Sequence, residues 1–201
     1  RKIAKSLLGI LLDWALQLRN WFRVVVSRIK RTPREFSIEQ KLRSASDLSR
    51  LYKRLREKHA DLIHIEQDEK YVTWRIFNNP NIEYTTYFVY EDNRLRAYCY
   101  ISINSKKNAH LSDLTFEDYE AGDFLLKTIL NLLCERKISI AGFMGNIKNP
   151  LMADVFNLLK KHGFIKRGEF ASFVLRNISY GHKKSLYDIK NWYLNGLWTE
   201  G

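Results

Sequence analysis

The sequence predicts an α+β fold: a mixed, mainly antiparallel sheet flanked by helices. Three observations carry this reading. Residues 84–90 and 95–103 alternate apolar and polar side chains, are rich in tyrosine and β-branched residues, and are joined by the polar link Glu91-Asp92-Asn93-Arg94, the pattern of a β-hairpin. Residues 111–116 (LSDLTF) continue the two-residue period and run into an apolar stripe of helical spacing, Leu125, Leu126, Ile129, Leu130 and Leu133. A short apolar stretch, 138–143, then leads into a second helical stripe opened by Asn149-Pro150 and closed by Gly163.

Taken in order, the chain opens on a stripe at helical spacing over 3–29 (Leu7, Leu8, Leu11, Trp14, Leu18, Trp21, Phe22, Val25), stopped by Thr32-Pro33. Asp13, Gln17, Arg19 and Arg23 interrupt it, so it is too polar to span a membrane. Residues 35–39 read as a short strand. A helix capped by Ser44 or Ser46 follows, with Leu48, Leu51, Tyr52 and Leu55 inward. Residues 68–77 form a further helical segment ended by Asn78-Asn79-Pro80. The hairpin and the turn Ser105-Lys106-Lys107-Asn108 deliver the chain into 111–116, giving a three-stranded meander. Asp123 is the expected cap of the next helix, and a strand running into a capped helix offers free N–H groups to an anion. Residues 138–143 cross back as a strand, 149–163 form a helix, 170–175 (FASFVL) a last strand, and 187–198 an aromatic tail. Three domains are expected: a basic amphipathic arm over 1–33, a folded body over 34–177, and a C-terminal tail over 178–201 that packs on the body.

Charge separates arm from body. Residues 1–58 hold 16 basic and 5 acidic residues, whereas 59–201 hold 18 and 17; the overall basic pI therefore says little about the body's ligand. The arm's stripe calls for a partner: the body, an upstream domain of the same chain, or an anionic membrane surface met by Lys2, Lys5, Arg28 and Lys30. The chain opens at Arg1, and a fragment or processed product is expected. Cys99 and Cys134 lie in apolar runs and read as reduced core residues of a cytoplasmic protein. The five histidines form no HExxH or comparable cluster, so no metal is expected, and GxSxG, GxxxxGK[ST] and GxGxxG are all absent.

This element order resembles the GNAT (Gcn5-related) N-acetyltransferase fold over residues 34 to 177. Local phrases carry the resemblance further: YVTWRIFNNP (71–80) followed by the tyrosine-rich hairpin, LLKKHGF with Gly163-Phe164, and the closing NWYLNGLWTEG are similar to bacterial members associated with polysaccharide biosynthesis. Some relatives, the Fem-type aminoacyl transferases among them, carry two such domains in tandem, which would make this chain the C-terminal half.

The resemblance implies an acyl-CoA-dependent N-acyltransferase: acetyl-CoA or another acyl-CoA as co-substrate, and an amine of a sugar or small metabolite as acceptor, attacking the thioester directly. The reaction needs a neutral amine, a donor for the developing oxyanion and close alignment. By resemblance, Leu114, Thr115 and Phe116 offer backbone groups to the pantetheine arm, Ala121, Gly122, Asp123 and Phe124 form the pyrophosphate turn, and Asn146 or Asn149 bonds the arm, Asn149 serving equally well as a helix cap. Glu117, at the end of the strand, is the first candidate general base and Asp113 the second. The chain departs from the family in two places. Its phosphate loop has only Gly122, set among Glu117, Asp118, Glu120 and Asp123, and Leu159 stands where a tyrosine often protonates the leaving thiolate. Two alternatives therefore stand: a degenerate module serving as the substrate-binding or assembly half of a two-domain protein, and a Fem-type aminoacyl transferase meeting transfer RNA through its basic arm. Nucleic acid is not the expected partner of the body.

Overall fold

The computed structural model describes residues 35–44, 46–59, 62–166, 168 and 188–196. The expected helix over 3–29, with its proposed membrane or interdomain partners, and the strand over 170–175 lie outside these residues.

Among the described residues five strands form one sheet in the order β1-β2-β3-β4-β5: β1 Ser37–Glu39, β2 Tyr84–Glu91, β3 Arg94–Ile103, β4 Asn108–Phe116 and β5 Ile140–Phe143. The first four are antiparallel neighbours, and β5 lies parallel to β4. The β2–β3 turn works because Asp92 and Asn93 take left-handed backbone angles (φ 47 and 63), which these residue types tolerate and a tight hairpin demands. Helices α1 Ser46–Lys58, α2 Glu69–Val72, α3 Tyr119–Glu135 and α4 Pro150–Lys161 flank the sheet. The sheet is mixed and mainly antiparallel, and the element order agrees with the one the sequence implies.

The two faces of β4 define two layers. On one, Phe116 packs on Gly122 of α3, where a Cβ would come within 2.7 Å of its ring and 3.1 Å of Leu158 of α4. On the other, Asp113 and Thr115 join a layer of tyrosines beneath α1, led by the bond between Tyr52 and Tyr98 (2.6 Å). The core is correspondingly aromatic: Phe88, Tyr90, Tyr98, Tyr100 and Tyr193 are all fully buried.

Four expectations are corrected. Helix α3 begins at Tyr119 and is capped by Asp118, whose carboxylate accepts from the Ala121 N–H at 3.0 Å. Asp123 is thus not the cap, and residues 121–124 lie in the helix instead of in a turn. The segment after Asp68 is helical as expected, a four-residue helix that widens into a π-helical turn over Thr73–Phe77. Cys134 is exposed at the end of α3, whereas Cys99 is buried as expected. Finally, β4 starts at Asn108, three residues earlier than its apolar pattern indicates. Among the described residues no helix is long and apolar enough to cross a membrane.

Gly122 supplies a test of this packing. Glycine to alanine inside a helix ordinarily stabilises by about 0.5–1 kcal/mol; here the added methyl meets an aromatic ring that cannot fold away, and overpacking costs about 1–3 kcal/mol. Gly122→Ala is expected to lower stability by about 1 kcal/mol or more in urea denaturation with an unchanged slope. Gly142→Ala, whose Cβ meets nothing within 4 Å, should show no such loss.

Candidate active site

Strand β5 pairs with β4 only from Asn108 to Leu111. The remainder of β4, residues 112–116, continues without it. Just before this point the β3–β4 pairing skips a residue, Tyr100 facing Asp113 and Ile101 facing Leu111, so Ser112 forms a bulge. Such irregularities re-aim the side chains that follow them. The next residue is Asp113.

The Asp113 carboxylate has no exposure, and burying a charge without partners would cost several kcal/mol. Its partners are supplied by four separate segments. Oδ2 accepts from the Tyr98 hydroxyl (2.7 Å) and the Gln67 side-chain amide (3.0 Å), and Oδ1 accepts from the Thr115 hydroxyl (2.9 Å); Asn195 donates as well. Gln67 is the hub of this network. Its amide nitrogen also lies 3.1 Å from Tyr52 Oη and 2.9 Å from Tyr98 Oη, giving three acceptors for two protons, and its oxygen accepts from Tyr100 (3.2 Å). Burial pushes the Asp113 carboxyl up to about 6, and the hydrogen bonds from Tyr98, Gln67, Thr115 and Asn195 hold it from rising further. Burial, with the nearby Asp113 charge, raises the Tyr52, Tyr98, Tyr100 and Tyr193 hydroxyls well above the ordinary phenol range. They remain donors at neutral pH.

A small opening with a cavity volume of about 10 Å³, room for roughly one water, leads toward this network, lined by Tyr52, His64, Ile65, Gln67, Tyr71, Tyr193 and Asn195. Asp113 itself does not line it, but its partners Gln67 and Asn195 do. Tyr193 also connects the opening to the carboxylate, its Oη lying 2.9 Å from Thr115 Oγ1 and 3.1 Å from the Leu114 carbonyl. The single phenol proton serves one of these at a time. His64 stacks on Tyr52 with ring centroids 4.2 Å apart, and burial lowers its pKa below the usual histidine value.

The other candidates sit elsewhere. Glu117, the first candidate base, is held by three arginines: Arg54 (2.9 Å), Arg96 (3.3 Å) and Arg94. Its side chain is only 5% exposed, and its lone pairs point at guanidinium groups instead of at the opening. This geometry suits a structural ion pair and not a proton acceptor. Asp118 caps α3 and pairs with Arg96. Asp123 pairs with Lys127 (2.5 Å), His162 (2.8 Å) and Lys161 (3.2 Å), tying α3 to α4. Burial opposes its ionisation, yet these hydrogen bonds outweigh burial and bring its pKa down to about 2. Three of the four acids expected to repel a pyrophosphate are therefore neutralised within the fold. Ala121 and Gly122 are buried beneath this helix end and Phe124 packs on Phe36; none of the three forms an open loop. Leu159 is a core residue, and Tyr119 is exposed beneath the Lys161 ammonium.

Leu114, Thr115 and Asn149 do come together, around a segment of the chain itself. Asn149 caps α4, its Oδ1 accepting from the Met152 N–H (3.2 Å), while its Nδ2 donates to the Lys190 carbonyl (2.7 Å). Asn146 Nδ2 donates to the carbonyls of Ile189 (2.7 Å) and Trp192 (3.0 Å). Residues 188–196 thus run past the end of β5, where Gly145 bridges Asn195, and over β4 at Leu114. Sequence reasoning missed Gln67, Tyr98 and Tyr193 as members of this site, because only the fold brings them to Asp113. Among the described residues no group of His, Cys, Asp and Glu could hold a metal ion.

No protein-family model and no curated relative matches the chain. Solved structures similar to it are acetyltransferases. An aminoglycoside acetyltransferase from an uncultured soil metagenomic sample, in complex with trehalose, is 12% identical with a TM-score of 0.47, covering 71% of this chain and 96% of its own. The PaiA N-acetyltransferase of Thermoplasma acidophilum, in complex with coenzyme A, is 17% identical with a TM-score of 0.47, covering 69% and 94%. A GNAT-family acetyltransferase of Staphylococcus aureus is 13% identical with a TM-score of 0.49, covering 72% and 93%. The chain shares few residues with any of them.

The raised Asp113 pKa fixes the sign of a stability measurement. Between about pH 4 and 6 the folded chain retains a proton that the unfolded chain has lost, so this group makes stability fall as pH rises through that window. The span is on the order of 3 kcal/mol at most. Asp113→Asn should remove this slope in denaturant titrations run across the window. Asp123 acts in the opposite sense at lower pH: its contribution is present above about pH 4 and is lost as pH falls toward 2.

Proposed function

We propose that this chain is an acyl-CoA-dependent N-acyltransferase whose acceptor is a small-molecule amine, and that Asp113, in place of Glu117, takes up the proton released on transfer. One observation carries the reading. The half of β4 that β5 leaves unpaired holds a buried carboxylate with a pKa of about 6, and residues 188–196 cover the groove that would lie along it, their carbonyls accepting from Asn146 and Asn149.

The groove fits the acyl donor chemically. Asn146 and Asn149 receive peptide carbonyls of the chain's own segment, and an amide-bearing pantetheine arm presents the same acceptor group. Asn146 and Asn149 would hold that arm, with Leu114 presenting its backbone beside it. The bound group supplies an activated acyl thioester.

The chain's residues would act as follows. Amine transfer forms a C–N bond and breaks the C–S bond, and the amine nitrogen sheds one proton. Asp113 is out of contact with solvent, so that proton reaches it through hydroxyls. Tyr52 meets the opening and Tyr98 lies between Tyr52 and Asp113, with links of 2.6 and 2.7 Å. A carboxylate whose pKa sits near 6 is ionised at neutral pH yet basic enough to accept a proton. The leaving thiolate takes a proton from solvent or from this network. Lys127 and Lys161, on α3 and α4, are cations that a pyrophosphate could meet there, although both are engaged by Asp123.

A second reading is favoured by the segment 188–196, which fills the groove: a module that keeps the fold and has lost the donor. Calorimetric titration with acetyl-CoA and coenzyme A, together with a free-thiol assay over a panel of amines and amino sugars, separates the two. The enzyme reading predicts measurable binding, and Asp113→Asn lowering kcat about 100- to 10,000-fold with donor affinity retained. Absence of heat with both ligands would leave the degenerate module standing.

A further inference from the structure

We propose that residues 188–196 form a displaceable strap that competes with the acyl donor for the groove beside β4, an inference that rests on the acyltransferase reading above. The strap is held chiefly through its backbone. Its carbonyls at Ile189, Lys190 and Trp192 accept from Asn146 and Asn149 side chains, that of Asn191 accepts from the Ile63 N–H (2.7 Å), and that of Leu194 from the Asn146 N–H (2.9 Å). In return the Tyr193 N–H donates to the Ile63 carbonyl (2.8 Å). These bonds amount to isolated bridges, Ile63 with Trp192 and Gly145 with Asn195, and not to a ladder.

Two consequences follow. A ligand that brings amide carbonyls in place of the strap keeps the donors of Asn146 and Asn149 satisfied. The strap also carries its own local order, Asp188 capping the Ile189–Asn191 turn by accepting from the Lys190 N–H (3.0 Å); that order does not depend on the groove. Two side chains enter the core: Tyr193, whose hydroxyl bonds the Leu114 carbonyl, and Asn195, which donates to Asp113. Release of the strap therefore withdraws Tyr193 and Asn195 from the Asp113 network and opens β4 at the same time. If the open form is populated at about 1–10%, apparent donor affinity is weakened about 10- to 100-fold relative to the open groove.

The test is amide hydrogen exchange on the full chain with and without saturating coenzyme A, paired with calorimetry on Gly196→Val. The Gly196 position faces the His110 ring, where a Cβ would come within 2.6 Å, so the larger residue pushes the strap outward. The expected result is exchange at least about 10-fold faster at the Ile63, Asn146 and Tyr193 amides on ligand addition, with the β2–β3 amides unchanged, and coenzyme A affinity about 10-fold tighter in Gly196→Val. Coenzyme A binding with those amides unchanged or slowed, and no tighter in the variant, overturns the strap while leaving the acyltransferase reading intact. No binding by either protein overturns both.

Discussion

Everything near the candidate site depends on keeping one carboxylate buried. Asp113 lies in the middle of a strand, with tyrosine rings on its own face and no path to bulk water, and an ion there is tolerable only if its lone pairs are occupied. The demand is met by residues far apart in the chain: Tyr98 on the neighbouring strand, Thr115 two positions on, Gln67 from the segment before α2, and Asn195 from the C-terminal segment. Satisfying one group thus pins an inter-helix segment, a strand pair and the tail to a common point. The result is a carboxyl poised near neutrality, surrounded by phenols that stay protonated. That combination can pass a proton inward.

A second electrostatic arrangement keeps the beginning of α3 from becoming an acidic patch. Glu117 and Asp118 face Arg54, Arg94 and Arg96, and Asp123 faces Lys127, Lys161 and His162. Exposed pairs contribute little to stability. These are mostly shielded, however, and they join α1 and β3 to the β4–α3 turn and α3 to α4. The two carboxylates at the turn thereby act as cap and clamp.

Much of the architecture was legible because it is local. The hairpin over Tyr84–Glu91 and Arg94–Ile103 announces itself through alternation and an Asp-Asn turn, and α4 through Asn149-Pro150. Errors arose where two residues competed for one role. Asp118 and Asp123 are both competent caps, and the extended backbone of Asp118 decided the start of α3. Position along the chain favoured Glu117 as the base; no spacing rule links residue 117 to the arginines at 54, 94 and 96 that pair with it. Asp113 was visible as a candidate, yet its environment was not. Neither Gln67 nor Tyr193, 46 and 80 positions distant in sequence, carries a local signal of its partnership with it.

The account rests on Asp113 titrating within reach of neutral pH at a site that senses the acyl donor. The most direct measurement is the carbon-13 chemical shift of the Asp113 carboxyl followed against pH, in the free chain and with acetyl-CoA present. The account predicts a midpoint of about 6 in the free chain and a displaced midpoint once the donor is added. A midpoint near the ordinary aspartate value of about 4, unmoved by acetyl-CoA, would contradict it.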